Sequence, residues 1–340
     1  MEQTKEKIEI IINNWCKLLS IDLGWIDDFN MIISRYVQFI CFVNKLKLSQ
    51  QQKNSMELQG KLNHIFSVRF SPDGTKIVSS SMDRTVQIWN IASGKEIKKC
   101  EGHCDWVYDA QFSPNGKLIA SCSGDKTIRL WNAKSGREIK MFEGHSSGVT
   151  KVRFSPDGNR IVSCSNDKTI RVWDVKTEEE IKIIEGYTNW INDVQFSPNG
   201  QMIVSSSNDN TIIVWDIKLC KKAYELKGHL DFVTRAQFSS NGCFIVSGSY
   251  DKTIRIWDVQ SKKETKRLKG HLDAVKDAKF SQDDQIVVSY SHDKTIRLWD
   301  IKTGNEMQKL EWDKITGVDI SPDGNTIVSC SDDGTIQIWG

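Results

Sequence analysis

The sequence predicts an all-β chain made of seven copies of one four-stranded unit. Two observations carry this. A tryptophan recurs at Trp89, Trp131, Trp173, Trp215, Trp257, Trp299 and Trp339, in steps of 42 residues with a last step of 40. A tight turn recurs ahead of it, at Ser71-Pro72-Asp73-Gly74, Ser113-Pro114-Asn115-Gly116, Ser155-Pro156-Asp157-Gly158, Ser197-Pro198-Asn199-Gly200 and Ser321-Pro322-Asp323-Gly324, and these turns hold all five prolines of the chain. A period of this length marks a repeat architecture and takes precedence over any local reading.

One copy opens on a Gly-His pair, present as Gly102-His103, Gly144-His145, Gly228-His229 and Gly270-His271. A β-branched and aromatic run such as Val107 to Phe112 follows and reads as the first strand. The turn comes next. Pro presets φ at its second position, Asn or Asp suits the third, and Gly relieves φ > 0 at the fourth. Leu118 to Ser121 and Thr127 to Trp131 read as the second and third strands, and Glu138 to Phe142 as the fourth. The third strand lies in an Asp-x-Thr-Ile-x-x-Trp run, such as Asp125 to Trp131.

These signals closely resemble the WD40 repeat, and the resemblance covers residues 54–340. It implies a seven-bladed β-propeller. Asp follows Trp173, Trp215, Trp257 and Trp299, whereas Asn follows Trp89 and Trp131, and Gly follows Trp339. The expected organisation is a short α-helical N-terminal extension, residues 1–52, and a WD40-like propeller, residues 53–340. The last copy stops one residue after Trp339, so residues 53–59 are expected to supply its outer strand. Members of the family generally close this way, and an open ring would leave two blade faces and an edge bare.

Residues 1–52 differ in kind. Ile8, Ile11, Trp15, Leu18 and Leu19 fall at helical spacing, and Gly24 breaks the pattern. Asp27 or Asp28 is placed to cap a second helix through Phe29, Ile32, Tyr36, Phe39, Ile40 and Val43. Such apolar faces must be covered. Two readings stand: the helices pack on each other and on the propeller, or they form a hairpin for self-association or partner docking.

Composition excludes several classes. Lys plus Arg is 46 and Asp plus Glu is 44, a net charge of +2, which gives no broad footprint for nucleic acid or an acidic membrane. No stretch of 18 apolar residues suggests a membrane span, and the first residues lack the order of a signal peptide. The nine cysteines form no Cys-x-x-Cys pair, and no metal or cofactor is expected. Cys122, Cys164 and Cys330 share one repeat position with Ser80, Ser206, Gly248 and Tyr290 and read as small core residues in a reducing compartment. That implies an intracellular, cytoplasmic chain, with the nucleus left open. Lysines of the outer strands, such as Lys98, Lys140 and Lys266, read as guards against edge-to-edge pairing.

Ser, His and Asp recur together as His103, Ser121, Asp125; His145, Ser163, Asp167; His229, Ser247, Asp251; and His271, Ser289, Asp293. Four copies of a nucleophile argue against a hydrolase. The resemblance implies a buried relay from Asp through His and Ser to the indoles of Trp131, Trp173, Trp257 and Trp299. Each Asp has a Ser four residues before it and another two before it, and spacing does not choose between them. Lys61 and Tyr187 replace the His, and Trp312-Asp313-Lys314 replaces the Gly-His region, so the relays of blades one, four and seven should be weaker.

Function is expected on the surface. In the family, partner contacts cluster three and five residues after the His and one before the Asp. The first set here is His64, Trp106, Gly148, Trp190, Phe232, Ala274 and Lys314. The second is Phe66, Tyr108, Thr150, Asn192, Thr234, Lys276 and Thr316. The third is Met82, Gly124, Asn166, Asn208, Tyr250, His292 and Asp332. These positions vary while their neighbours barely do, and they are rich in aromatics, the usual anchors of protein interfaces. The contact residues expected are His64, Phe66, Trp106, Tyr108, Trp190, Asn192, Phe232, Tyr250, Lys276 and His292. The implied role is a non-catalytic scaffold or adaptor for proteins or peptides. A ubiquitin-ligase substrate receptor docking through residues 1–52 is an alternative, although no Trp-Asp-x-Arg motif is present. An enzyme would need non-repeated polar residues converging in the channel, and no such set is expected.

Overall fold

The computed structural model describes residues 56–57 and 64–339. The expectations for residues 1–52 lie outside the described residues, as does Lys61. Among the described residues the strands form seven four-stranded antiparallel sheets. The first blade holds β2 (Ile65–Phe70), β3 (Lys76–Ser81), β4 (Thr85–Asn90) and β5 (Glu96–Glu101) in that order. Five further blades repeat this order, with inner strands β6 (Val107–Phe112), β10 (Val149–Phe154), β14 (Ile191–Phe196), β18 (Val233–Phe238) and β22 (Val275–Phe280). The seventh has β26 (Ile315–Ile320), β27 (Ile327–Ser331) and β28 (Ile336–Trp339). Its outer strand is β1 (Met56–Glu57), paired antiparallel with Gln337 and Ile338 of β28. The fold is therefore an all-β seven-bladed propeller.

The core lies between blades. Trp131 packs with Val107, Phe112 and Ile119 of its own blade and with Val78, Val86, Ile88 and Cys100 of the one before. Middle strands are covered on both sheet faces, so β3 is buried over five of its six residues, whereas the outer β5 is exposed over five of six. Continuous burial on both faces explains why the middle strands carry no polar alternation. Cys122, Cys164 and Cys330 are buried free thiols in these seams, and burial pushes those of Cys164 and Cys330 up to about 12. At the equivalent position Tyr290 is a wedge, its hydroxyl donating to the Thr316 carbonyl of the next blade. The outer-strand lysines do more than guard an edge. Lys140 and Lys266 reach the next blade, donating to the carbonyls of Lys176 and Lys302.

Candidate functional site

Each loop before an inner strand lies at the same end of its blade as the turn between the second and third strands. Asp125 organises one such corner. Its Oδ1 accepts from the N–H and hydroxyl of Thr127, and its Oδ2 accepts from His103 Nδ1 at 2.8 Å and from the Cys104 N–H at 2.9 Å. An acceptor on Nδ1 fixes the tautomer, so Nε2 accepts from the Ser121 hydroxyl at 2.8 Å. Ser121 Oγ in turn accepts from Trp131 Nε1 at 2.8 Å. The same chain joins Asp167, His145, Ser163 and Trp173; Asp251, His229, Ser247 and Trp257; and Asp293, His271, Ser289 and Trp299. The Ser four before the Asp is thus the relay member. The Ser two before it pins the loop instead, as when Ser123 Oγ donates to the Asp105 carbonyl. The Gly before each His leaves room for the relay ring: a Cβ at Gly228 or Gly270 would lie 3.0 Å from the buried Trp257 or Trp299 ring and would also displace the Arg255 or Arg297 guanidinium.

This geometry holds the residues of a hydrolase without its reactivity. The four serines are buried, and the lone pair that would attack substrate accepts an indole N–H. Burial raises the carboxyls of Asp125, Asp167 and Asp251, but the hydrogen bonds donated by the partnering histidines and by Thr127, Thr169 and Thr253 outweigh it and hold them well below the usual carboxylate range. Burial pulls His229 and His271 below the ordinary 6.5, against the pull of their aspartates.

The blades that lack the His end their relays in three different ways. Blade four has no His, yet Tyr187 is buried and its hydroxyl pairs with Ser205 while accepting from Trp215 Nε1 at 2.9 Å. A phenol thus spans the same gap without needing Asp209. In blade seven Trp312 packs edge-on to Trp339 at 5.2 Å, and Trp339 Nε1 reaches Ser329 Oγ at 3.0 Å. In blade one Trp89 Nε1 reaches Ser79 Oγ at 2.9 Å.

The corners carry the variable positions. In every blade the residue before the Asp donates its N–H to the carbonyl of the first-set residue, as in Gly124 to Trp106, Asn208 to Trp190 and Tyr250 to Phe232. The first and third sets therefore share one rim. Two aromatic groups stand on it. His64, Phe66, Trp106 and Tyr108 form one, with Phe66 4.6 Å from His64 and 5.2 Å from Tyr108 between ring centres. Phe232, Tyr250 and His292 form the other, with the Lys276 ammonium 4.5 Å from the centre of the Tyr250 ring. Trp190 stands apart and is 52% exposed. Asn192 differs from expectation: its amide donates to Asn208 and to the Val233 carbonyl at 2.8 Å, tying blade four to blade five. Thr150 and Thr234 make the same bridge to Ile191 and Val275. In blades three, four and five this position therefore stitches blades together, whereas the Thr316 hydroxyl pairs with Cys330 of its own blade.

The channel corrects the expectation that no non-repeated polar set converges there. Arg69 lies 3.5 Å from Asp109, which also pairs with Arg153. Arg153 is 3.4 Å from Asp193, Asp193 is 3.5 Å from Arg235, and Arg235 is 2.9 Å from Asp277. Lys279 joins Asp277 at 3.6 Å and Asp319 at 2.9 Å, and Asp319 accepts the Phe70 N–H of the first blade at 2.9 Å. Charge alternates in sign around this belt. Seven single charges cannot alternate around a closed circle, because seven is odd. Blade six resolves this by supplying both Asp277 and Lys279. The alternation was readable in the inner strands, but only once those positions were compared across copies. Beyond the belt, at the proline-turn end, the channel opens into a cavity of about 640 Å³ walled by Phe70, Phe112, Phe154, Phe196, Phe238 and Phe280.

The belt is not catalytic in form. Its carboxylates and cations neutralise each other, and burial lowers the Lys279 ammonium only to about 8, against the pull of Asp319 and Asp277. Among the described residues no group of His, Cys, Asp and Glu could hold a metal ion. No described helix is long and apolar enough to cross a membrane.

A comparison with the curated proteins finds no match. The family model for the WD domain, G-beta repeat, matches residues 52–90, 94–132, 136–174, 178–216, 220–258, 262–300 and 305–340. Each matched segment ends at or next to a relay tryptophan, so it gives the outer strand of one blade and three strands of the next. That family is typically one of protein-interaction scaffolds and generally non-enzymatic. By its seven repeats and its seven blades, the chain belongs to the WD40 family.

Proposed function

We propose that this protein is a non-catalytic scaffold or adaptor that holds other proteins or peptides on the rim formed by its Gly-His loops and Asp turns. The observation that carries this reading is a group of large apolar side chains exposed there. Trp106 is 40% exposed, Trp190 52%, Phe232 39%, Leu230 82% and Leu272 74%. Aromatic side chains supply large contact area at low entropic cost, and exposed groups of them mark interfaces. The rim residues that would carry binding are Phe66, Trp106, Tyr108, Trp190, Phe232 and Tyr250, with His64, Lys276 and His292 supplying polar contacts. Asn192 would act through the framework.

The test is quantitative affinity purification from the source cell with wild type and Trp106→Ala/Trp190→Ala/Phe232→Ala. The variant must keep the wild-type melting curve. Loss of a defined set of proteins from the folded variant supports the rim. An unchanged set rejects it and moves attention to residues 1–52 and the blade sides.

A further inference from the structure

We propose that the rim takes a peptide segment bearing a carboxylate side chain, and that this carboxylate enters the channel between Trp106 and Trp190 to pair with Lys151. The inference rests on the partner-binding reading above and names the chemistry of the partner.

Lys151 is the third residue of β10, in register with Cys164 of the second strand. Asp109, Asp193, Arg235 and Asp277 hold the same register in their blades, opposite Cys122, Ser206, Gly248 and Tyr290. Those four residues are buried and belong to the belt. Lys151 is half-buried and, among the described residues, makes no ion pair. The belt holds four cations and four carboxylates, so Lys151 is a fifth cation in excess of them, and the carboxylate that feels its charge, Asp109, is already shared by Arg153 and Arg69. Burial pushes the thiols of Cys122, Cys164 and Cys330 up, and the Lys151 charge pulls each of them back. Those thiols sit in blades two, three and seven, so the charge is felt across the channel.

The rim above blade three is low. Gly148 of blade three meets Gly124 of blade two there, while Asn166 holds blade three's position before its Asp, and a Cβ on Gly148 would lie 3.3 Å from the Gly124 Cα and 3.7 Å from the Tyr108 ring. Neither glycine puts a side chain of its own over this notch, and the Asp105 carboxylate rests against Gly124, 2.7 Å from where a Cβ there would lie. Trp106 flanks it on one side and Trp190 on the other. The nearby acid Asp105 accepts the Trp106 N–H at 2.8 Å and is held at the loop. An uncompensated cation in a recess of reduced dielectric attracts an anion more strongly than the same cation on an open surface. The flanking indoles suit a peptide, because they cover its backbone and apolar neighbours while the acid reaches inward.

The test is selection of displayed random peptides on the full chain. Selected peptides are expected to share Asp or Glu at one position beside an apolar residue. Replacing that acid by its amide should weaken binding to wild type roughly tenfold, the size expected for a partly desolvated charge pair. Lys151→Met should weaken the parent peptide similarly and make the amide change nearly silent, and Lys151→Glu should favour the peptide carrying Lys at that position. A peptide set without a shared acid, or an amide effect of equal size on wild type and Lys151→Met, overturns the inference. If Lys151→Met does not fold, the amide change measured on wild type at low and high salt decides, since loss of a charge pair must shrink with salt. Peptides that need Trp106 and Trp190 but ignore Lys151 sink this inference alone. Peptides that still bind Trp106→Ala/Trp190→Ala sink the rim reading as well, and a library that yields no binder counts against both.

Discussion

The rim and the belt are built on the same inner strands, and Tyr108 and Asp109 are neighbours in β6. Both sets break the sevenfold repeat, yet they end in opposite conditions. Every belt charge has a partner of opposite sign in the next blade or its own. The large rim residues Trp106, Trp190 and Phe232 remain exposed to solvent. Variation among copies therefore has two causes. In the belt, neighbouring blades must differ so that unlike charges meet. On the rim, nothing within the described residues requires Trp190 to be large. Only the second kind of variation points to a partner.

The sharpest way to break this comparison is Asp109→Ala. It leaves Arg69 and Arg153 buried without their shared carboxylate and should cost about 3–5 kcal/mol, the range for an orphaned buried charge. A urea titration that finds under about 1 kcal/mol would mean the belt is dispensable. Asp167→Ala comes next. It strips the acceptor from His145, Thr169 and the Ser146 N–H, and about 1–3 kcal/mol should be lost by the same assay.

Deleting residues 1–60 removes β1 and its pairing with β28. The lost backbone bonds alone should lower stability by about 1–2 kcal/mol, and an unchanged melting temperature would show that β1 adds nothing to closure. Acid should separate the relays from the rim. His229 and His271 have folded values below 6.5, so the stability they bring is complete above that pH and declines as pH falls beneath it. The depressed relay aspartates hold their contribution until pH falls below about 4, where the unfolded chain begins to take up protons first. A melting temperature that rises between pH 7 and pH 5 would contradict this. Trp190→Ala should change stability least, by no more than about 0.5 kcal/mol, while removing partner binding. A large loss of stability would make Trp190 a packing residue.

The propeller was legible in the sequence because it depends on signals that repeat. Tryptophan steps, proline turns and Gly-His pairs each recur, and each has a local physical reason. The relay partners were legible too, although the choice between Ser121 and Ser123 was not. That choice depends on which way each side chain leaves a paired strand, and no spacing encodes it. The bonds that Tyr187 makes were not legible, because the pattern recorded a lost His and not the reach of a phenol. The belt was missed because its members pair across 40 or more residues, and each looks ordinary in its own copy. Rim exposure could be guessed from variability, but the inward use of Asn192 needed coordinates.

The two-residue strand β1 sets an order of events. It is synthesised before every other described strand, and its partner β28 is synthesised last. On the ribosome the first six sheets can form as their strands emerge, but the seventh must wait. Until then β1 has no partner and the ring has a gap. Joining segments this far apart along the chain is entropically slow, and an unpaired edge in the meantime invites pairing with another chain. The stage most exposed to aggregation should therefore be the final closure, when nearly the whole protein is already folded.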